Sequence, residues 1–152
     1  MAQPAPKQPT PEQLLSCTCF RLRKVTRQIT QFYDQALAPL DITITQFSVL
    51  AYLFMRGEVS IGELAAEMLM DPTTLTRTLR PLERRRLVRI STARDDRRRR
   101  SVLVSDAGRA AFQEAVPLWR RAAAQTAEVL GSPRLAALNQ ALGLTLDSLT
   151  KA

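Results

Sequence analysis

Eleven arginines crowd the 24 residues from Arg77 to Arg100, against only Glu83, Asp95 and Asp96, and this window carries the whole formal net charge of +8. The remaining 128 residues are balanced, with eleven Lys/Arg against eleven Asp/Glu. A neutral body with one dense cationic block is the footprint of a protein that docks a polyanion at a single place. Every cation in the block is Arg, whose planar fork grips a phosphate or a guanine edge with two bonds where Lys offers a point charge. Nucleic acid is the partner this chemistry points to. Other reactive groups are few. Cys17 and Cys19 are too few for a disulfide scaffold and fit a reducing compartment. Histidine is absent, which removes the commonest general base and metal ligand. No catalytic residue, metal site or cofactor is expected, and the chain does not read as an enzyme.

The elements that position these groups follow from periodicity and punctuation. At 152 residues the chain is long enough for one domain, or one domain plus a dimerisation element. Residues 1–11 hold four prolines and read as a disordered arm. From Pro11 to about Leu37, apolar residues at Leu15, Leu22, Ile29 and Ala36 predict one long helix that Pro39 ends. Thr43 to Gln46 and Ser60 to Glu63 both have the form of a capping box. They open helices carrying Phe47, Leu50 and Phe54, and then Leu64, Ala65 and Met68, with Gly57 as a stop between them. Asp71-Pro72 is the strongest helix start in the chain, and Leu75, Leu79 and Leu82 mark the inward face of the helix it opens. Two short helices joined by a tight turn predict a helix-turn-helix. Val88 to Ser91 and Val102 to Val104 predict a hairpin with a long basic tip. Asp106 is read as the cap of a further helix, and Gly131-Ser132-Pro133 as a stop, a cap and a first-turn proline before the last. The expected class is mainly α: a winged helix-turn-helix with a two-stranded β wing and N- and C-terminal dimerisation helices. The expected divisions are a helix over 12–40, a DNA-binding lobe over 41–105 and C-terminal helices over 106–152. With no run of 18 apolar residues and no secretory pattern, the chain is expected in the cytoplasm, associated with the nucleoid and not with a membrane.

Over about Glu12 to Leu149 the chain resembles a MarR-type transcriptional regulator. The resemblance rests on Ile42-Thr43-Ile44-Thr45-Gln46-Phe47, Ile61-Gly62-Glu63-Leu64-Ala65 and Asp71-Pro72-Thr73-Thr74-Leu75-Thr76-Arg77. It continues through Leu87-Val88-Arg89, Asp96-Arg97-Arg98 and Val102-Leu103-Val104-Ser105-Asp106-Ala107-Gly108, in this order and spacing. Two positions depart from the pattern. Arg86 stands where a Gly usually precedes the first wing strand, so the recognition helix is expected to end differently. Pro81 is expected to weaken the bond to Arg77 and bend that helix's second half. The resemblance implies a homodimer reading a pseudo-palindromic operator in double-stranded DNA, with repression relieved by a small molecule or an oxidant.

Burial of the Leu75/Leu79/Leu82 face turns Thr73, Thr74, Thr76, Arg77 and Arg80 outward, with Arg84 a turn further on. The first three and Arg77 are expected at base edges, Arg80 and Arg84 at phosphates. In the wing, the resemblance makes Asp96 the orienter of Arg98, with Arg94, Arg97 and Arg99 beside it at the minor groove. For the effector, the resemblance implies a cleft for a small aromatic carboxylate, lined by Phe20, Arg23, Arg27, Phe47, Leu50 and Trp119. It offers a second route through Cys19, with Cys17 and Tyr33 as further redox candidates, as in the branch that senses organic peroxides. The aromatic acid is placed ahead of the oxidant. Two cysteines two residues apart on one helix diverge by about 200°, which disfavours a bridge between them; burial as small core residues is the alternative. A third class is an architectural DNA binder with no inducer, which would barely distinguish operator from random DNA.

Overall fold

The computed structural model describes residues 8–92 and 100–151, so residues 1–7 of the expected arm lie outside the described residues. The order is α1 (Pro11–Ser16), α2 (Thr18–Leu37), a 3₁₀ turn (Ala38–Leu40), α3 (Ile44–Arg56), β1 (Val59–Ser60), α4 (Ile61–Glu67) and α5 (Pro72–Arg84). Then come β2 (Val88–Thr92), β3 (Arg100–Val104), α6 (Asp106–Leu130) and α7 (Ser132–Thr150). Helices predominate around one small antiparallel sheet, the winged helix-turn-helix arrangement. Leu50, Leu53, Leu64, Leu75, Leu79, Leu82, Val49 and Val102 form its fully buried core. Each such side chain contributes roughly 1.5–3 kcal/mol by leaving water. Among the described residues no single helix is long and apolar enough to cross a membrane.

Both capping boxes form as expected. Thr43 and Gln46 bond reciprocally at 3.0 and 3.2 Å, and Ser60 and Glu63 at 2.8 and 3.0 Å. Gly57 ends α3 at φ 80°.

Several expectations are corrected. The N-terminal helix is not continuous: it breaks at Cys17, whose ψ of 125° takes it out of helical conformation. A 3₁₀ turn containing Pro39, not a simple stop, follows α2. The wing sheet has three strands in the order β1-β3-β2, because Val59↔Val102 and Ser60↔Ser101 pair alongside the hairpin. A strand of two residues has no periodicity to read, which is why it was not expected. The cap of α6 is Ser105, whose hydroxyl accepts from the Gly108 N–H at 3.0 Å; Asp106 is the first helical residue. Gly131, at φ 77°, closes α6 and opens α7 by itself, and Ser132 makes no cap bond.

Helix α5 ends as a glycine would end it, with Arg86 taking the left-handed conformation at φ 59°. The Leu87 N–H reaches the Leu82 carbonyl and the Arg86 N–H the Glu83 carbonyl, both at 2.8 Å, the paired bonds of a Schellman stop. Helix α5 runs unbroken past Pro81, which has no N–H to offer the Arg77 carbonyl. Where this stop meets α6 the packing is tight. A Cβ on Gly108 would lie 1.9 Å from the Leu87 carbonyl oxygen, a backbone atom that cannot swing aside.

Two stability measurements check this junction. Gly108→Ala is expected to cost about 3 kcal/mol in denaturant unfolding, the upper range for overpacking. Arg86→Gly is expected to add about 1 kcal/mol by relieving the left-handed strain.

Candidate nucleic-acid interface

Helix α5 starts because Asp71 caps it and Pro72 occupies its first turn. The Asp71 Oδ1 accepts from the N–H groups of Thr73 and Thr74, each at 3.0 Å, and its Oδ2 accepts from the Thr74 hydroxyl at 2.5 Å. These bonds, the Thr74 hydroxyl first, hold the Asp71 carboxyl below the usual carboxylate range. Leu75, Leu79 and Leu82 are buried to 1% exposure or less, which fixes the rotation of the helix about its axis. The opposite face follows: Thr73, Thr74, Arg77, Arg80 and Arg84 are exposed and Thr76 is half-buried. Pro72, Thr73, Thr76, Arg77 and Arg80 line one shallow groove. Arg77, Arg80 and Arg84 form a stripe about 10 Å long by the rise per residue.

The threonines are not equivalent. Thr74 spends its hydroxyl proton on Asp71, and Thr76 donates to the Pro72 carbonyl at 2.7 Å. Each keeps lone pairs and a methyl group, which suits accepting from an adenine or cytosine amino group or touching a thymine methyl. Thr73 makes no such side-chain bond among the described residues.

Not every arginine of the block faces outward for a ligand. Arg85 donates through one terminal nitrogen to the Asp41 carbonyl and through the other to the Leu40 carbonyl, at 2.9 Å for the latter. It also lies 3.6 Å from the Asp41 carboxylate, an exposed pair that contributes little alone. Its job is to tie the end of α5 to the turn before α3. On the other side of that turn, the half-buried Asp34 of α2 accepts from the Ile44 N–H at 2.6 Å. Sequence reasoning missed both, since their partners lie 45 and 10 residues away and leave no local signature. The wing residues Arg94, Asp96, Arg97, Arg98 and Arg99 lie outside the described residues.

Of the expected effector residues, the protomer brings together only Phe47, Leu50 and Trp119, as core packing. Phe47 and Leu50 are buried in the core, and Phe47 stacks on Trp119 at 5.7 Å and packs against Phe112 at 5.2 Å. Phe20 stands 43% exposed on α2 beneath the Lys24 ammonium, while Arg23 is exposed and Arg27 lines a separate shallow groove with Thr30 and Asp34. Both cysteines are exposed in the protomer, against their reading as buried core residues. Tyr33 packs edge-on against Phe32, about 21 Å along α2 from Cys19 by the helical rise.

Sequence comparisons place this geometry. A family model described as the MarR family matches residues 40–99. The transcriptional regulator MosR of M. tuberculosis, in a crystal structure with DNA, shares 38% identity over 88% of this chain and 98% of that one, with a TM-score of 0.71. The chain belongs to the MarR family of transcriptional regulators. Curated relatives include the HTH-type transcriptional regulator TtmR of Methylorubrum extorquens, 31% identical over 65% of this chain, and the organic hydroperoxide resistance transcriptional regulator of Bacillus subtilis, 30% identical over 57%. The chain spans 51% and 58% of the length of those two proteins. The family is one of transcriptional regulators, not enzymes.

The cap gives a test in acid. Because the folded Asp71 carboxyl titrates below the ordinary range, its contribution is present above the unfolded value and is lost as pH falls through the lowered folded one. Asp71→Asn keeps a capping side chain but cannot titrate. Thermal midpoints measured from neutral pH into that acid window are expected to fall less steeply for the variant than for the parent.

Proposed function

We propose that the chain is a homodimeric repressor that sets α5 of each protomer into successive major grooves of a pseudo-palindromic operator in double-stranded DNA. The observation that carries this is the face of α5: three fully buried leucines on one side, and Thr73, Thr76, Arg77, Arg80 and Arg84 on the other. A relative of 38% identity in complex with DNA supports it. Thr73, Thr74, Thr76 and Arg77 are assigned to base edges, Arg80 and Arg84 to phosphates, and the 93–99 segment with Arg98 to the minor groove. With six to ten phosphates neutralised per dimer, affinity would fall roughly 10³- to 10⁵-fold between 50 and 200 mM salt.

The dimer assignment rests on surface that the protomer leaves uncovered. Helices α1 and α7 bury no residue and α2 buries only Leu37. Leu15, Leu22, Val25, Ile29, Leu142, Leu146 and Leu149 are 38–70% exposed. A second copy laying the same helices across them removes that surface from water. Sedimentation is expected to give a dimer at micromolar concentration; a stable folded monomer would refute this.

For the effector, three observations favour the thiol route over the aromatic acid. The helix breaks at Cys17, so the two thiols no longer share one helical screw and the 200° divergence does not apply. Both are exposed in the protomer, whereas Phe47 and Trp119 fill their space by stacking on each other and Phe20, Arg23 and Arg27 lie on the outside of α2. A 30%-identical relative is named for organic hydroperoxide resistance. In this reading a hydroperoxide oxidises the Cys19 thiolate to a sulfenic acid and leaves as the alcohol, and DNA is released. Treatment with a hydroperoxide is expected to weaken operator binding by the parent and not by Cys19→Ser. Release instead by an aromatic carboxylate, equally in both proteins, would restore the first reading.

Arg77→Ala is expected to cost roughly 1–3 kcal/mol of operator affinity at one base position per half-site in fluorescence titrations. An equal loss on random DNA would make Arg77 a phosphate contact. Equal affinity of the parent for both DNAs would make the protein architectural.

A further inference from the structure

On the outer face of the wing sheet, pairing sets Ser60, Ser101 and Ser91 side by side, one from each strand. The next row, Val59, Val102 and Ile90, turns to the core, as the two-residue period requires. Glu58 shares the parity of Ser60, and its carboxylate comes to the serine row. The Ser101 hydroxyl donates to Glu58 Oε1, and the Ser91 and Ser101 hydroxyls lie 2.7 Å apart. Because Ser101 has spent its proton, Ser91 donates to Ser101, and the chain of bonds ends on the carboxylate; Ser91 Oγ also lies 3.4 Å from Glu58 Oε1. Thr92 and Arg100, the residues at which the two strands pass into the 93–99 segment, line the same recess as Glu58.

An exposed carboxylate here is costly for a protein that docks a polyanion, since it sits beside the arginine block and repels phosphate. We propose that Glu58 is a positioning residue for DNA binding: it pins the outer ends of β2 and β3 through the two serines, and so fixes where the arginine-rich 93–99 segment leaves the sheet. Glu58 acts through Ser101 and Ser91 and touches no base or phosphate. The inference rests on the DNA-binding reading above.

Charge and position predict opposite signs, so three variants separate them. Glu58→Ala removes the charge and the acceptor, Glu58→Gln removes the charge but keeps an accepting oxygen, and Ser101→Ala breaks the chain without changing charge. Each is titrated with operator and random duplex over a salt series, beside thermal midpoints. Positioning predicts operator binding weakened roughly 5- to 10-fold by Glu58→Ala and by Ser101→Ala, with a smaller salt slope and unchanged midpoint, while Glu58→Gln binds as tightly as the parent or tighter. Limited trypsin treatment without DNA is expected to cut between Thr92 and Arg100 roughly threefold faster in Glu58→Ala and at the parental rate in Glu58→Gln. Equal tightening of binding by Glu58→Ala and Glu58→Gln would make Glu58 a bare charge and overturn the proposal. So would weakened binding that tracks a lowered midpoint in all three variants. No salt-dependent binding by the parent would overturn the DNA reading instead, and the trypsin comparison would still decide the pinning.

Discussion

The surface offered to DNA depends on one backbone contact, that of Gly108 against the Leu87 carbonyl. Four chain segments meet there: the end of α5, the start of β2, the end of β3 and the first turn of α6. The Ser105 hydroxyl closes the junction by donating to the Arg86 carbonyl at 2.6 Å while accepting from Gly108. The Ser105 N–H adds a bond to the Leu87 carbonyl at 3.0 Å. Helix α5, the wing strands and the long helix α6 are therefore fixed to one another by a backbone-to-backbone approach and by the Ser105 hydroxyl that bridges it. An operator-reading unit needs such rigidity, because base contacts lose value when helix and wing can move independently.

Charge is laid over this frame with a division of labour. The arginine block looks uniform in sequence, yet Arg85 is withdrawn into a clamp on Leu40 and Asp41, and Arg86 serves the backbone of the helix stop. Arg77, Arg80 and Arg84 remain on the exposed face of α5. The clamp and the Asp34 bond to Ile44 lie on either side of the same turn. Through them α2, the helix that carries both the uncovered apolar face and Cys19, is tied to the end of α5 by polar bonds about one turn.

Local rules made much of this legible beforehand. The caps at Thr43, Ser60 and Asp71, the stop at Gly57 and the inward face Leu75/Leu79/Leu82 are set by neighbours within four residues, so reading along the chain finds them. Four things were not legible in the same way. The break at Cys17 leaves the apolar period intact on both sides. The strand Val59–Ser60 exists only because β3 lies beside it. The transfer of the α6 cap from Asp106 to Ser105 depends on where the chain enters the helix. The scatter of Phe20, Arg23 and Arg27 away from Phe47 and Trp119 is decided by the axis of α2 relative to α6.

By itself, then, the sequence determined most of the helices, the caps at Thr43, Ser60 and Asp71, the family resemblance and the location of the charge, because these follow from short-range chemistry and composition. Tertiary structure alone decided which arginines are spent on the fold, that a third strand brings Glu58 to the serine row, and that both cysteines stand at a helix break in the open. The first two are contacts between residues 43 to 45 positions apart. They depend on how helices and strands pack in space, and no periodicity along the chain encodes that distance.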